Sequence, residues 1–408
     1  MHKTETLHIK NFGPINNAII DINKITVMIG EQGSGKSTVA KLYALFTWLE
    51  KALMRHSLTI QNVTGYSRFR KTYCAYNNIN DYFKPDTELY FSGIHYYFAY
   101  KGDQLEITET DSAQNDTFSI SKVMYIPAER NILGSTDHPS RLKGLGGAMM
   151  TFLEEYDNAK IKNKNGYALP FGNAGFEYDL LNDLPKLRQA DFEIKLSAAS
   201  SGFQSALPML LVSKNLSEMV RDSSLNTDLS GKEQKALLKE VESILNDDTL
   251  SEEVRKASLR TLSLRYRYSR FVNIVEEPEL NLFPDSQKNV LYELVAETNN
   301  QPDNRLMLTT HSPYIINYLA IAVKAGQIAS KANGNDRIME HINAIVPLPS
   351  KTAENELSIY ELSNGEANKL SVYEGIPSDN NFLNNKLNDT NLMFDELLDI
   401  EENLNAPR

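Results

Sequence analysis

Lys36 and Ser37 close the stretch Gly30-Glu31-Gln32-Gly33-Ser34-Gly35-Lys36-Ser37-Thr38, which fits G-x-x-x-x-G-K-[ST] without a mismatch. These residue types at this spacing bind phosphate. The glycines let the backbone come close and turn its N–H groups inward, the lysine reaches the outer phosphates, and the hydroxyl ligates Mg²⁺. The chemistry needs the loop to sit between a strand and a helix N-terminus, whose partial positive charge favours an anion. Ile25 to Ile29 read as an apolar, β-branched strand, and Val39 to Phe46 as a helix. A glycine turn followed by a chance Lys-Ser would account for the letters but not for their setting.

A second constellation is Glu276-Glu277, at the end of the apolar run Phe271 to Val275. Mg²⁺ prefers oxygen ligands and retains several waters, so Glu276 would hold it through water. Glu277 would polarise the attacking water. Two solvated carboxylates at a strand end are the plain alternative, and Pro278-Glu279-Leu280 weighs against it. His311 follows the strand Leu306 to Thr310. If both strands are parallel, His311 and the two carboxylates share the carboxyl edge of the sheet, where ligands gather. A neutral histidine there could hydrogen-bond the γ-phosphate and the attacking water, although a lone histidine is more often structural.

Several elements must position these groups. Leu7 to Phe12 alternates as a strand, Gly13-Pro14 turns, and Ala18 to Ile22 is a second strand. A helix following the phosphate loop runs to about Leu58. Residues 60–125 read as β-rich, with a Gly102-Asp103 hairpin turn. Residues 131–195 read as loop and helix, and Ser200-Ser201 opens a further helix that either serine could cap. Leu357 to Glu361 and Lys369 to Tyr373 form a hairpin around Ser363-Asn364-Gly365. The expectation is an α/β fold with mixed β-sheets, an antiparallel β subdomain and an inserted helical subdomain. Residues 1–125 would form an N-terminal lobe, 126–270 a mainly helical insertion, 271–350 a C-terminal lobe, and 351–408 the hairpin and an acidic helical tail.

The chain has 408 residues, is 41% hydrophobic and 23% charged, and carries a net charge of −11. This balance is that of a globular protein and excludes a basic footprint over the whole molecule. Any nucleic-acid contact must be a local patch. Arg260, Arg265, Arg267 and Arg270 alternate with Tyr266 and Tyr268, a pattern that could grip phosphates and stack on bases. An edge strand with a solvated basic face reads the same, as does the smaller cluster Arg68, Arg70 and Lys71. Cys74 is the single cysteine, so there is no internal disulfide, which suits a cytoplasmic location. No apolar run approaches the ~18 residues of a membrane span.

Taken together, Gly30 to Thr38, Ser200-Ser201-Gly202, Glu276-Glu277-Pro278-Glu279 and Thr310-His311-Ser312-Pro313 resemble the ordered motifs of ABC-type ATPases of the RecF/SMC and OLD group. The resemblance implies an ATPase head that uses ATP and Mg²⁺, in a head-to-tail homodimer or a higher oligomer. It assigns Gly30, Gln32, Gly33, Ser34, Gly35, Lys36, Ser37 and Thr38 to nucleotide binding, Ser37 and Glu276 to the metal, and Lys36, Glu277 and His311 to catalysis. Ser200 and Gly202 match the signature motif that contacts a partner's γ-phosphate, where a plain serine-capped helix is the alternative. Tyr125-Ile126-Pro127-Ala128-Glu129-Arg130 resembles a segment recurrent in these ATPases; Arg130 would approach a phosphate or be a surface charge. Phe203, Asn281 and Phe283 depart from the group's patterns. No Glu plus Asp-x-Asp set follows His311, so no nuclease chemistry is expected in this chain. The resemblance to stand-alone ATPases of bacterial anti-phage systems such as Septu and PARIS implies a separate effector, nuclease or toxin. A DNA-clamping repair ATPase and a non-hydrolysing ATP-bound scaffold are the alternative readings.

Overall fold

In a computed structural model, the described residues are 5–111, 119–190, 192–222, 229–247, 249–332 and 334–405. The chain opens with β1 (Glu5–Phe12), β2 (Ile15–Ile22) and β3 (Ile25–Gly30), and then the helix α1 (Lys36–Met54). β1 and β2 alternate because only one of their faces meets the core: Leu7, Ile9 and Phe12 point inward with Ile15, Ala18, Ile20 and Ile22. β3 is buried at every position.

β4 (Phe83–Ser92), β5 (Tyr96–Lys101) and β6 (Gln104–Glu109) form an antiparallel meander, followed by β7 (Ser121–Ile126). A small separate sheet holds β8 (Tyr167–Ala168), β9 (Ala174–Asp179), β10 (Leu184–Gln189) and β11 (Phe192–Lys195). β12 (Arg270–Glu276), β13 (Arg305–Thr309), β14 (Leu357–Ser363) and β15 (Glu366–Lys369) return to the main sheet. Its eleven strands run in the order β6-β5-β4-β1-β2-β15-β14-β3-β13-β12-β7. The half from β14 to β7 is parallel, and the half from β6 to β2 is antiparallel.

α1 lies between the two halves. It packs on β3, β13, β12 and β7, while its Phe46 stacks on Phe91 of β4 with centroids 5.4 Å apart. The helices Ser201–Arg221 and Pro284–Asn299 also contact the parallel strands. Helices thus cover both faces of that half, which is why β3, β12 and β13 read as apolar runs. A buried ion pair ties the halves together: Arg270 donates to both carboxylate oxygens of Glu5 at 2.7 and 2.8 Å.

The fold departs from the sequence reading in several places. Residues 60–74 are helical, as Ile60–Thr64 and the π-turn Phe69–Cys74, and the β-rich run starts only at Phe83. Their apolar residues Val63, Phe69 and Cys74 seal one end of the core, so tertiary burial overrides aromatic β-propensity. Residues 167–195 form the four-stranded sheet rather than loop and helix, because the strands are short and their turns hide the alternation. Finally, the predicted turn forms, with Asn364 and Gly365 at φ 53° and 80°, but the returning strand is Glu366–Lys369 rather than Lys369–Tyr373, Val372 and Tyr373 pair instead with Pro377 and Ile376, and the hairpin is an integral part of the main sheet. Segments 1–125, 271–350 and 351–408 all contribute strands to that sheet, β14 lying directly beside β3.

Candidate nucleotide site

The parallel register brings three strand ends together. Thr309 pairs with Glu276 on one side and Met28 on the other, so Gly30, Glu276 and His311 leave the sheet at one edge. The loop after β3 is built on glycine: Gly30, Gly33 and Gly35 have φ of 141°, 76° and 105°. A Cβ on Gly30 would sit 2.2 Å from the Leu362 carbonyl oxygen, and one on Gly35 would sit 2.7 Å from the Ile15 side chain. Nothing lies within 4 Å of the Gly33 position, which leaves the cradle open. Gly35 precedes α1 in the left-handed conformation without a side-chain cap, so the first amides of the helix are free for an anion. Gln32 and Ser37 are exposed there, Thr38 is buried beneath, and Ser34 has a buried hydroxyl without a hydrogen-bond partner.

Lys36 lies back across its own loop and donates to the carbonyls of Gly30 and Glu31, both at 2.9 Å. Burial holds its pKa below the ordinary lysine value, against the pull of Glu277, Glu279 and Glu276. The lysine and the carboxylates thus lie close enough to feel one another's charge.

Glu276 ends β12 as a buried carboxylate. Its Oε2 accepts a long bond from the Ala128 amide at 3.4 Å, and its Oε1 has no hydrogen-bond partner. A buried carboxylate oxygen left without a geometric hydrogen bond suits a cation or its water shell. Glu277 follows in a left-handed backbone, φ 44°, with its amide bonded to the Thr309 carbonyl at 2.9 Å. Its side chain points at His311, with Nε2 to Oε1 at 3.3 Å. Burial, and then the neighbouring Glu279, raise the Glu277 pKa far above the carboxylate range. Burial and the charge of Lys36 lower the His311 pKa below the usual histidine value. Without nucleotide the pair therefore sets a neutral imidazole beside a carboxyl that burial and Glu279 bias towards its protonated form; such perturbed carboxyls cluster at functional sites.

Glu279 also lies in the candidate site, which its sequence context only hinted at. Its Oε1 accepts from the Thr310 hydroxyl at 2.7 Å and from the His311 amide at 2.8 Å, which fixes the turn that aims His311. Ser312 is held in turn by Gln287 at 2.6 Å. The Glu-x-Glu spacing after the strand was the available signal; the partners lie one strand away and could not be read from it.

Arg130 takes neither of the places open to it in the sequence. It is fully buried, and its guanidinium donates to the carbonyls of Glu276 at 2.5 Å, Glu277 at 2.6 Å, Pro127 at 3.3 Å and Ser205 at 3.1 Å. With these donors spent on backbone, it is neither a phosphate ligand nor a surface charge. Ser200 stands at the start of helix Ser201–Arg221, exposed, and its hydroxyl makes no capping bond. Gly202 is buried against Asn281, whose carbonyl oxygen is 2.8 Å from where a Cβ would lie. Phe203 stacks on Phe171, centroids 5.0 Å apart, rather than facing the loop.

The arginine and tyrosine alternation does not form a basic, aromatic face. Residues 252–266 are a helix rather than an edge strand. Tyr266 and Tyr268 are buried around Arg55, which lies 4.2 Å from the Tyr268 centroid, and Arg270 is spent on Glu5. Arg265 bonds Glu240 at 2.7 Å, leaving Arg260 and Arg267 exposed. Of the smaller cluster, Arg70 bonds the Asn80 carbonyl at 2.9 Å and lies over Phe83.

A match to a known family falls on these same segments. Residues 3–133 and 263–316 match the AAA ATPase domain. The two matched stretches hold the phosphate loop, Arg130, Glu276, Glu277 and His311. No curated protein sequence matches the chain. Among solved structures, the chain is similar to an SMC head bound to the C-terminal winged-helix domain of ScpA, at 11% identity and TM-score 0.40, covering 90% of this chain and 98% of that one. It is similar to the SMC head domain from Thermotoga maritima at 12% identity and TM-score 0.34, covering 91% and 99%. The recombination mediator protein RecF gives 9% identity and TM-score 0.29, covering 90% and 98%. Among the described residues, no helix is long and apolar enough to cross a membrane, and no cluster of three or more His, Cys, Asp or Glu has metal-site geometry.

Proposed function

We propose that this chain binds and hydrolyses ATP as an ABC-type ATPase, closing on a second copy of itself when ATP is bound. The observation that carries this reading is the meeting of Lys36, Glu276, Glu277 and His311 at one sheet edge beside an open glycine loop. The loop amides and Lys36 bind the triphosphate. Ser37 and Glu276 hold Mg²⁺, which supplies charge neutralisation on the phosphates. Glu277 takes the proton of the attacking water, and neutral His311 orients that carboxyl and the water. Ser200 belongs to the face that a second copy presents, since its exposed hydroxyl makes no capping bond at the helix start; Gly202 lies buried behind it against Asn281.

In this reading the closed dimer controls a separate effector, a nuclease or toxin of an anti-phage system, and the effector docks on the C-terminal helix Phe382–Asn405. That helix starts at the site: the Phe382 amide bonds Glu361 at 3.0 Å, and Lys386 feels the charge of Glu31. Beyond its anchor it exposes Leu392, Met393, Phe394 and Leu397 among acidic residues. The DNA-clamp alternative loses the stacking part of its sequence support, because Tyr266 and Tyr268 are buried.

Light scattering tests the dimer. The Glu277→Gln protein should double its mass on addition of ATP and Mg²⁺ and return to the monomer mass without nucleotide. A mass that ignores ATP contradicts this part of the reading.

A further inference from the structure

Three chain segments meet at one buried side chain. The first is the turn that follows β7, residues 127–134. The second is the first turn of helix Ser201–Arg221. The third is the strand end Glu276-Glu277 with the loop to Asn281. Their backbones touch directly: a Cβ on Gly134 would lie 2.4 Å from the Gln204 carbonyl oxygen, and one on Gly202 would lie 2.8 Å from that of Asn281. Arg130 sits where they join, with no solvent exposure. Its Nε donates to Ser205 O, its Nη1 to Pro127 O and Glu276 O, and its Nη2 to Glu277 O.

A planar guanidinium presents donors in a rigid fork, so these bonds fix relative orientation as well as distance. One of them reaches the residue of the strand end whose backbone needs holding. Glu277 is not glycine, yet its φ is 44°, and a left-handed conformation at such a residue persists only when its surroundings enforce it. The Glu277 amide is held by the Thr309 carbonyl, and its own carbonyl accepts from Arg130 at 2.6 Å and from the Leu280 amide at 3.1 Å.

We propose that Arg130 is a positioning residue: it locks the backbone of Glu276 and Glu277 to the first turn of helix Ser201–Arg221, so the carboxylates and the helix bearing Ser200 and Gly202 move as one body. Resting on the ATPase reading above, this gives the general base a mechanical link to the face that a second copy engages. A nucleotide held at Ser200 then sets the position of Glu277 in the same subunit. Lysine cannot replace the fork, because one ammonium cannot reach carbonyls in three segments at once.

The test uses the full chain with Arg130→Lys as the main variant and Arg130→Ala as the second. Without nucleotide, amide hydrogen exchange in Arg130→Lys should quicken together in residues 201–205 and 277–282, while β12 itself stays protected. Phosphate release should fall roughly a hundredfold, the cost of a small misplacement of a reacting group, while fluorescent ATP binding stays within about threefold. The double variant Arg130→Lys with Glu277→Gln should be no slower than Glu277→Gln alone, since residues acting as one unit are not additive. Arg130→Ala should lose at least as much hydrolysis as Arg130→Lys. Unchanged exchange, unchanged hydrolysis, additive losses, or ATP binding weakened in step with the rate would each overturn the proposal. A parent chain that neither binds nor hydrolyses ATP would instead refute the ATPase reading, and the exchange result would still decide whether Arg130 locks the two segments.

Discussion

Nε2 of His311 lies 3.3 Å from Oε1 of Glu277, across two neighbouring parallel strands. The contact joins a histidine held neutral by burial and by Lys36 to a carboxyl whose pKa is raised. An imidazole in this place orients its partner more than it exchanges protons with it. His311→Ala should therefore lower ATP turnover about a hundredfold, the usual cost of removing one preorganised donor. Its affinity for ATP should change little, and stopped-flow binding beside a phosphate-release assay separates the two.

Lys36 is the only one of these groups bonded to its own loop. Those two carbonyl bonds must be exchanged for phosphate on binding. A charge-assisted hydrogen bond is worth about 1.5–3 kcal/mol, so Lys36→Ala should weaken ATP binding by roughly tenfold to 150-fold. The melting temperature without nucleotide should stay near that of the parent, because the removed bonds only close a loop. Isothermal titration and a thermal melt together check this.

The raised pKa of Glu277 has a stability consequence. In the unfolded chain the group titrates in the ordinary carboxylate range; in the folded chain it keeps its proton to higher pH. Between those two values the folded state binds more protons than the unfolded state, so stability falls as pH rises. The slope is at most about 1.4 kcal/mol per pH unit for one proton. Glu277→Gln removes it. The melting temperature of the variant relative to the parent, without nucleotide, should be close at pH 5 and increasingly higher towards pH 8.

Two glycines of one loop should separate fold from binding. A Cβ at Gly30 meets the backbone of β14 at 2.2 Å, whereas one at Gly33 meets nothing. Gly30→Ala should cost about 1–3 kcal/mol in urea unfolding, through strain at φ 141° and the clash with Leu362. Gly33→Ala should cost less stability and still weaken ATP binding, because its methyl group enters the open cradle.

Much of this site was readable before the structure. The glycine loop, the strand-ending carboxylates and His311 are local patterns, each set by one strand and the residues after it. Register then places them together. What stayed hidden depends on partners distant in sequence. Arg130 looks the same in sequence whether it faces phosphate or four carbonyls. Tyr266 and Tyr268 look like a stacking surface until Arg55 is seen between them. The C-terminal hairpin was visible from its turn, but its insertion beside β3 rests on the Leu357–Leu362 register. Residues 167–195 concealed their sheet because each strand spans six residues or fewer.

The most direct test of the account is phosphate release by the parent and by Glu277→Gln, with fluorescent ATP binding measured on the same samples. The account predicts that the parent hydrolyses ATP in the presence of Mg²⁺, and that the variant binds ATP at least as well but is about 10²–10⁴-fold slower. Equal rates in the two proteins would contradict it.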